Sequence, residues 1–203
     1  MSNSALGVTG IVLAGGQGSR MGGVDKGLQP FRGKPMVAHA IERFAPQVEE
    51  LLINANRNPE AYAQFGLRVI ADEIAGFAGP LAGFERGLAH ASHPLVATVP
   101  CDSPFLPVDL VARLRTVLEA QQADVAVART GEQAHPVFCL MRRAVHRSLM
   151  GFLARGERKI DRWYGALAVV EVAFDDEAEA FLNINTRDEL ASLEPDAKGG
   201  GSS

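Results

Sequence analysis

Short runs of aliphatic and β-branched residues alternate along this chain with longer stretches whose apolar positions recur at helical spacing. The short runs, bounded by Gly, Pro, Asn and Asp, predict strands over 9–14, 50–55, 68–72, 95–100, 124–129, 136–141 and 167–174. Helical spacing predicts helices over 36–45, 80–91, 107–121, 143–156 and 186–193. In the third of these, Leu110, Leu114, Val117 and Leu118 form one apolar stripe. Strands that alternate with helices bury best as a mostly parallel sheet covered on both faces, joined by right-handed crossovers. The expected fold is therefore α/β, doubly wound and Rossmann-like.

Neither an internal repeat nor a Pro/Ser-rich linker interrupts residues 5–193, so 1–193 is read as one domain. The end of the chain, 194–203 with "KGGGSS", has linker composition and is expected to be a disordered tail. The 203 residues are 47% hydrophobic and 22% charged, which suffices for a sizeable core. Formal net charge is −4 and the basic residues form no run, which argues against nucleic acid or an anionic membrane as partner. Cys101 and Cys139 sit in apolar contexts and make no C-x-x-C pair, as expected in a reducing compartment. The first residues lack a basic n-region with a sustained apolar core, and no stretch has the length of a membrane span, so a cytoplasmic location is expected.

One stretch departs from this ordinary picture. "LAGGQGSRMGGVDKG", residues 13–27, follows the first strand and carries a glycine cluster, an arginine and a lysine. Glycine at this density marks a flexible surface loop or a place where something approaches the backbone closely. A phosphate-binding loop of the G-x-x-x-x-G-K-[ST] kind is excluded, because Gly27 follows Lys26. A dinucleotide fingerprint fails too, since its sixth position counted from Gly16 is Met21. What remains is a loop whose amides can cradle an anion, with Arg20 able to make forked bonds to phosphate and Lys26 a compact point charge.

In an open α/β sheet ligands bind beyond the carboxyl ends of the strands. The first strand ends in "LAGG", the second in Asn54, the third in Asp72 and the fourth in Asp102 of "PCDSPF". Each residue alone is a turn former or cap. Together at one edge they would line a single crevice.

"LAGGQGSRMGGVDKG", with "INAN", "GPLAG", "PCDSPF" and "NINT", resembles the molybdenum cofactor guanylyltransferases of the nucleotidyltransferase superfamily, over about residues 8–193. The resemblance implies transfer of GMP from GTP to molybdenum-bearing molybdopterin, with Mg2+ as cofactor and diphosphate as leaving group. It implies that Leu13, Ala14, Gly15, Lys26, Asn54 and Asp72 bind the guanine nucleotide and that Asp102 binds both nucleotide and magnesium. It places the pterin in the second half of the chain, where Arg158 of "GERK" and Asn183 and Asn185 of "NINT" are candidates, although Asn185 fits a helix cap equally well. Molybdoenzyme apoproteins or their chaperones would receive the product, and the chain is expected to be a monomer.

The chemistry agrees with these assignments. Two anions must meet at the α-phosphorus, and a hard dication held by one carboxylate and phosphate oxygens suits that encounter. Asp102 is the candidate carboxylate, and Lys26 and Arg20 would balance charge on the triphosphate and the departing diphosphate. An ionised phosphate nucleophile needs no general base. His39, His90, His93 and His146 are accordingly read as surface or packing residues, while His135 before "PVF" stays open. Strand alternation turns Cys101 away from Asp102, so it is read as buried and inert. Asp25 either contacts metal-bound water or orients the loop. The alternatives are a cytidylyltransferase of the same cofactor, a sugar-phosphate nucleotidyltransferase, and a non-catalytic carrier of the finished cofactor.

Overall fold

The computed structural model describes residues 6–14, 25–73 and 79–181. All seven predicted strands form, and they make one sheet: β1 (Val8–Leu13), β4 (Glu50–Asn54), β5 (Arg68–Ile70), β6 (Leu95–Pro100), β7 (Val125–Thr130), β8 (Gln133–Arg142) and β9 (Val169–Ala173). Their order is β5-β4-β1-β6-β8-β7-β9. Pairings β5-β4, β4-β1, β1-β6 and β7-β9 are parallel, whereas β8 runs antiparallel to both neighbours. The sheet is thus mostly parallel, as expected.

Alternation along the strands sorts the core into two layers. Val8 and Val12 of β1, Ala97 and Val99 of β6, and Ala126 and Ala128 of β7 face α1 (Met36–Phe44) and α4 (Leu110–Ala120). Ile11, Val96, Val125 and Val127 face α3 (Pro80–His90), α5 (His146–Ala154) and α6 (Ile160–Tyr164). Helices therefore cover both faces, and Leu110, Leu114 and Leu118 of the expected stripe are fully buried.

Several boundaries moved. The helix expected from 107 begins at Leu110, because Pro107 to Asp109 form a turn that leaves Val108 exposed. The expected 143–156 helix splits into a 3-10 turn, Arg143–Val145, and α5. The helix expected over 186–193 lies outside the described residues. Absent from the sequence reading were α2 (Pro59–Ala63), α6 and the hairpin of β2 (Pro30–Phe31) with β3 (Lys34–Pro35). The first two are too short to show a period. The hairpin hides behind its prolines, which normally argue against a strand, yet Arg32 and Gly33 take φ of +46° and +83° as a tight hairpin turn requires.

The strand order places a crevice. From β1 the next strands, β4 and β5, lie on one side, whereas from β6 the chain leads to the strands on the other side, so the topological switch point falls between β1 and β6 at the carboxyl edge. Hydrogen bonding continues past the strand ends there: Ala14 N–H donates to the Asn54 carbonyl, Ala55 N–H to Ile70 and Cys101 N–H to Leu13, at 2.8, 2.9 and 3.0 Å. Backbone pairing thus extends to the edge where a ligand would lie.

Candidate active site

Lys26 and Asp102 meet across the β1–β6 crevice. Lys26 opens the 3-10 turn Lys26–Leu28, which returns the chain from the glycine-rich segment, and its Nζ lies 3.6 Å from Asp102 Oδ2. Asp102 stands two residues beyond β6 with its side chain 14% exposed. Burial raises the pKa of its carboxyl above the ordinary value, and the Lys26 ammonium opposes that shift without cancelling it. A buried carboxylate whose desolvation its lysine partner does not cancel is a place where additional positive charge is favourable.

Asn54 and Asp72 form a second cluster at the ends of β4 and β5. Asn54 is buried, and its Nδ2 donates to Asp72 Oδ1 at 2.8 Å and to the Ile70 carbonyl at 3.3 Å. Asp72 is also held by Asn56, whose Nδ2 donates to Asp72 Oδ2 at 2.6 Å while its Oδ1 accepts the Asp72 N–H at 2.7 Å. Behind Asn54 lies Gly83 of α3, whose lack of a side chain makes the room that Asn54 and Leu13 occupy. Sequence reasoning missed Asn56 and Gly83. Asn56 had a signal, since it follows Asn54 by two in "INAN"; Gly83 had none beyond its place in "GPLAG".

Leu13 and Ala14 end β1 between these two clusters. Gly15 and Arg20 lie outside the described residues, as do Asn183 and Asn185. Arg158 follows α5, and its Nη1 donates to the carbonyls of Leu153 and Glu157 at 2.9 and 2.7 Å. It thereby caps the end of that helix.

Cys101 is buried, and burial together with the negative charges of Asp102 and Asp25 holds its thiol well above the ordinary range. It is no nucleophile. The expected packing roles of two histidines have partners: His146 Nε2 lies 3.0 Å from Glu85 Oε1, joining α5 to α3, and His39 Nε2 lies 2.8 Å from the Phe31 carbonyl. His135 sits at a bulge where the β7–β8 register jumps from Val127↔Cys139 to Ala128↔His135. The bulge's free carbonyls are satisfied from the side: Tyr164 OH donates to Pro136 O at 2.8 Å and Thr98 Oγ1 to Val137 O at 2.6 Å. The His135 ring stacks on Phe181 at 4.8 Å between centroids, and burial lowers its pKa below the ordinary imidazole value.

The strand-end carboxylate of Asp102 thus faces Lys26 at the switch point of the sheet, and comparison with known proteins decides the family. The model of the MobA-like NTP transferase domain matches residues 10–170. This chain belongs to the MobA-like NTP transferase family. A molybdenum cofactor guanylyltransferase of Cupriavidus necator is 53% identical over 192 residues, covering 92% of this chain and 96% of the relative. One of Shewanella amazonensis is 50% identical over 189 residues, covering 93% and 96%. Among solved structures, a molybdopterin-guanine dinucleotide biosynthesis protein A from Archaeoglobus fulgidus superposes with a TM-score of 0.77 at 24% identity, over 91% of this chain and 95% of its own. A 2-C-methyl-D-erythritol 4-phosphate cytidylyltransferase from Thermus thermophilus superposes with a TM-score of 0.65 at 17% identity, over 90% and 95%. The fold is thus shared with a protein named as a cytidylyltransferase. Among the described residues no helix is long and apolar enough to cross a membrane.

Proposed function

We infer that this chain is a molybdenum cofactor guanylyltransferase that moves GMP from GTP onto molybdopterin bearing molybdenum. The observation that carries this reading is the 50–53% identity, over more than nine-tenths of the chain, to proteins bearing that name. An oxygen of the pterin's terminal phosphate attacks the α-phosphorus of GTP. A new P–O bond forms as the bond to the β-phosphate oxygen breaks, and diphosphate leaves with the electron pair. The nucleophile is already ionised at neutral pH, so the step needs no general base.

Asn54, Asp72 and the end of β1 are the nucleotide-side residues, with Leu13 and Ala14 offering backbone beside the base. Lys26 supports the triphosphate and, with Arg20, the charge that grows on the leaving group. The Lys26 ammonium reaches Asp102, which holds it at the edge where the phosphates would lie.

Asp102 fits a magnesium ion. Its carboxylate is a hard donor whose charge burial leaves incompletely balanced. Among the described residues no group of three or more His, Cys, Asp or Glu converges on one point. The ion would be held by Asp102 together with phosphate oxygens and water, which is the usual habit of magnesium in such sites. When bound, it supplies positive charge at the α-phosphate, where two anions must meet.

Arg158, Asn183 and Asn185 are proposed for the pterin side; His135, on its bulge beyond the carboxyl end of β6, stands at the sheet edge that carries Asp102. The test is direct. Each of the four nucleoside triphosphates is incubated with the protein, magnesium and molybdenum-loaded molybdopterin, and diphosphate is measured. Release with GTP alone supports the reading; release with CTP alone, or a strict need for a sugar phosphate, replaces it. Binding of the finished cofactor with no release under any condition leaves a carrier.

A further inference from the structure

Asp25 immediately precedes the Lys26 turn, and both oxygens of its carboxylate are held from α2 and the residue that opens it. Tyr62 OH donates to Asp25 Oδ1 at 2.6 Å and Asn58 Nδ2 to Oδ2 at 3.0 Å, from positions 37 and 33 residues further along the chain. Tyr62 is fully buried. Its hydroxyl is pushed far above the ordinary range, first by burial and also by the Asp25 carboxylate to which it donates. Asn58 takes φ of +49°, a left-handed conformation that Asn tolerates, and Pro59 then starts α2.

The other side of the turn is fixed by contact. A Cβ built on Gly27 would lie 2.5 Å from Tyr62 Oη and 3.0 Å from Cys101 Sγ, so the turn rests directly on the tyrosine hydroxyl and on the neighbour of Asp102. Lys26 is therefore bracketed. Asp25 before it is tied by two hydrogen bonds, Gly27 after it is seated against two buried side chains, and its own ammonium ends 3.6 Å from Asp102. A lysine on a flexible stem acts on developing charge only if its backbone is held in place.

We propose that Tyr62 and Asn58 are positioning residues for nucleotidyl transfer, which hold Asp25 so that the Lys26 ammonium is presented at Asp102 and the phosphates gathered there. This rests on the reading of Lys26 and Asp102 given above. Of the two roles open to Asp25 on sequence grounds, its contacts select orientation of the loop.

Tyr62→Phe removes one hydroxyl and keeps the ring. Its effect on diphosphate release from GTP, with magnesium and molybdenum-loaded molybdopterin, is measured in the wild-type and in the Lys26→Ala background, using long single-turnover incubations for the slower proteins. If the hydroxyl acts through Lys26, the loss is about tenfold or more in the wild-type background and less than about twofold in Lys26→Ala, because groups that work as a unit are not additive. Asn58→Gly, which keeps the positive φ, follows the same pattern with a smaller loss. An equal loss in both backgrounds, or none in the wild type, overturns the proposal while leaving Lys26 assigned. Full activity of Lys26→Ala overturns the assignment of Lys26 and the proposal with it. Melting curves accompany each variant, and if Tyr62→Phe fails to fold, the Asn58→Gly comparison decides by the same criteria.

Discussion

Gly83 of α3 faces Asn54 of β4 so closely that a methyl group built on the glycine would lie 2.5 Å from Asn54 Oδ1 and 2.6 Å from Leu13 Cδ2. Asn54 has nowhere to retreat. It is buried, and its amide nitrogen is bonded to Asp72 and to the Ile70 carbonyl. The glycine of "GPLAG" thus sets the position of Asn54, proposed for the nucleotide side, which the chain supplies 29 positions earlier in "INAN".

Gly83→Ala is expected to lower stability by about 1–3 kcal/mol, the usual cost of forcing extra volume into a packed interior. It should also weaken GTP binding about tenfold through the displaced Asn54. Thermal melts and GTP titration by calorimetry check both. A variant that melts lower but binds GTP normally would show that Asn54 is not a nucleotide contact.

Asn56→Ala removes the residue that brackets Asp72 from the exposed side, at 2.6 Å to its carboxylate and 2.7 Å from its amide. We expect KM for GTP to rise several-fold with kcat within about twofold, the pattern of lost ground-state binding. A fall in kcat at unchanged KM would move Asp72 to the reacting phosphates.

Asp102→Asn separates function from stability. The folded-state pKa of Asp102 is raised by burial, so between the ordinary carboxylate range and that raised value the folded chain holds a proton that the unfolded chain has lost. Stability contributed at this position therefore falls as pH rises through that window. The neutral asparagine escapes the loss, so in chelator-containing buffer the variant's Tm should equal or exceed that of wild type at neutral pH, with the difference shrinking as the solution is acidified. Transfer should fall on the order of 100-fold or more, as when a key electrostatic group is removed. Diphosphate release within a few-fold of wild type would end the metal-ligand assignment.

Cys101→Ala tests the inert reading of a thiol that burial holds well above the ordinary range. Transfer should remain within a few-fold of wild type, with a modest drop in Tm from the small cavity. Complete loss of transfer at a normal Tm would restore the nucleophile.

Much of this molecule was legible in one dimension. The seven strands and their edge residues follow from short-range periodicity, because a strand buried on both faces writes itself as an aliphatic run and stops at a turn former. Lys26, Asn54, Asp72 and Asp102 could be named from their places after strands and from the motifs around them. What lay beyond reach depends on contacts between segments far apart in the chain. The glycine behind Asn54, the Asn56 bracket on Asp72 and the Tyr62 and Asn58 grip on Asp25 are set by helix-on-sheet packing, and packing distance leaves no period in a sequence. The antiparallel direction of β8 is of the same kind, since a strand of either direction presents the same alternation. Which groups are on offer for the proposed transfer can be read from residue order. Which of them are held in place depends on hydrogen bonds and close contacts that exist once the sheet edge and its helices have come together.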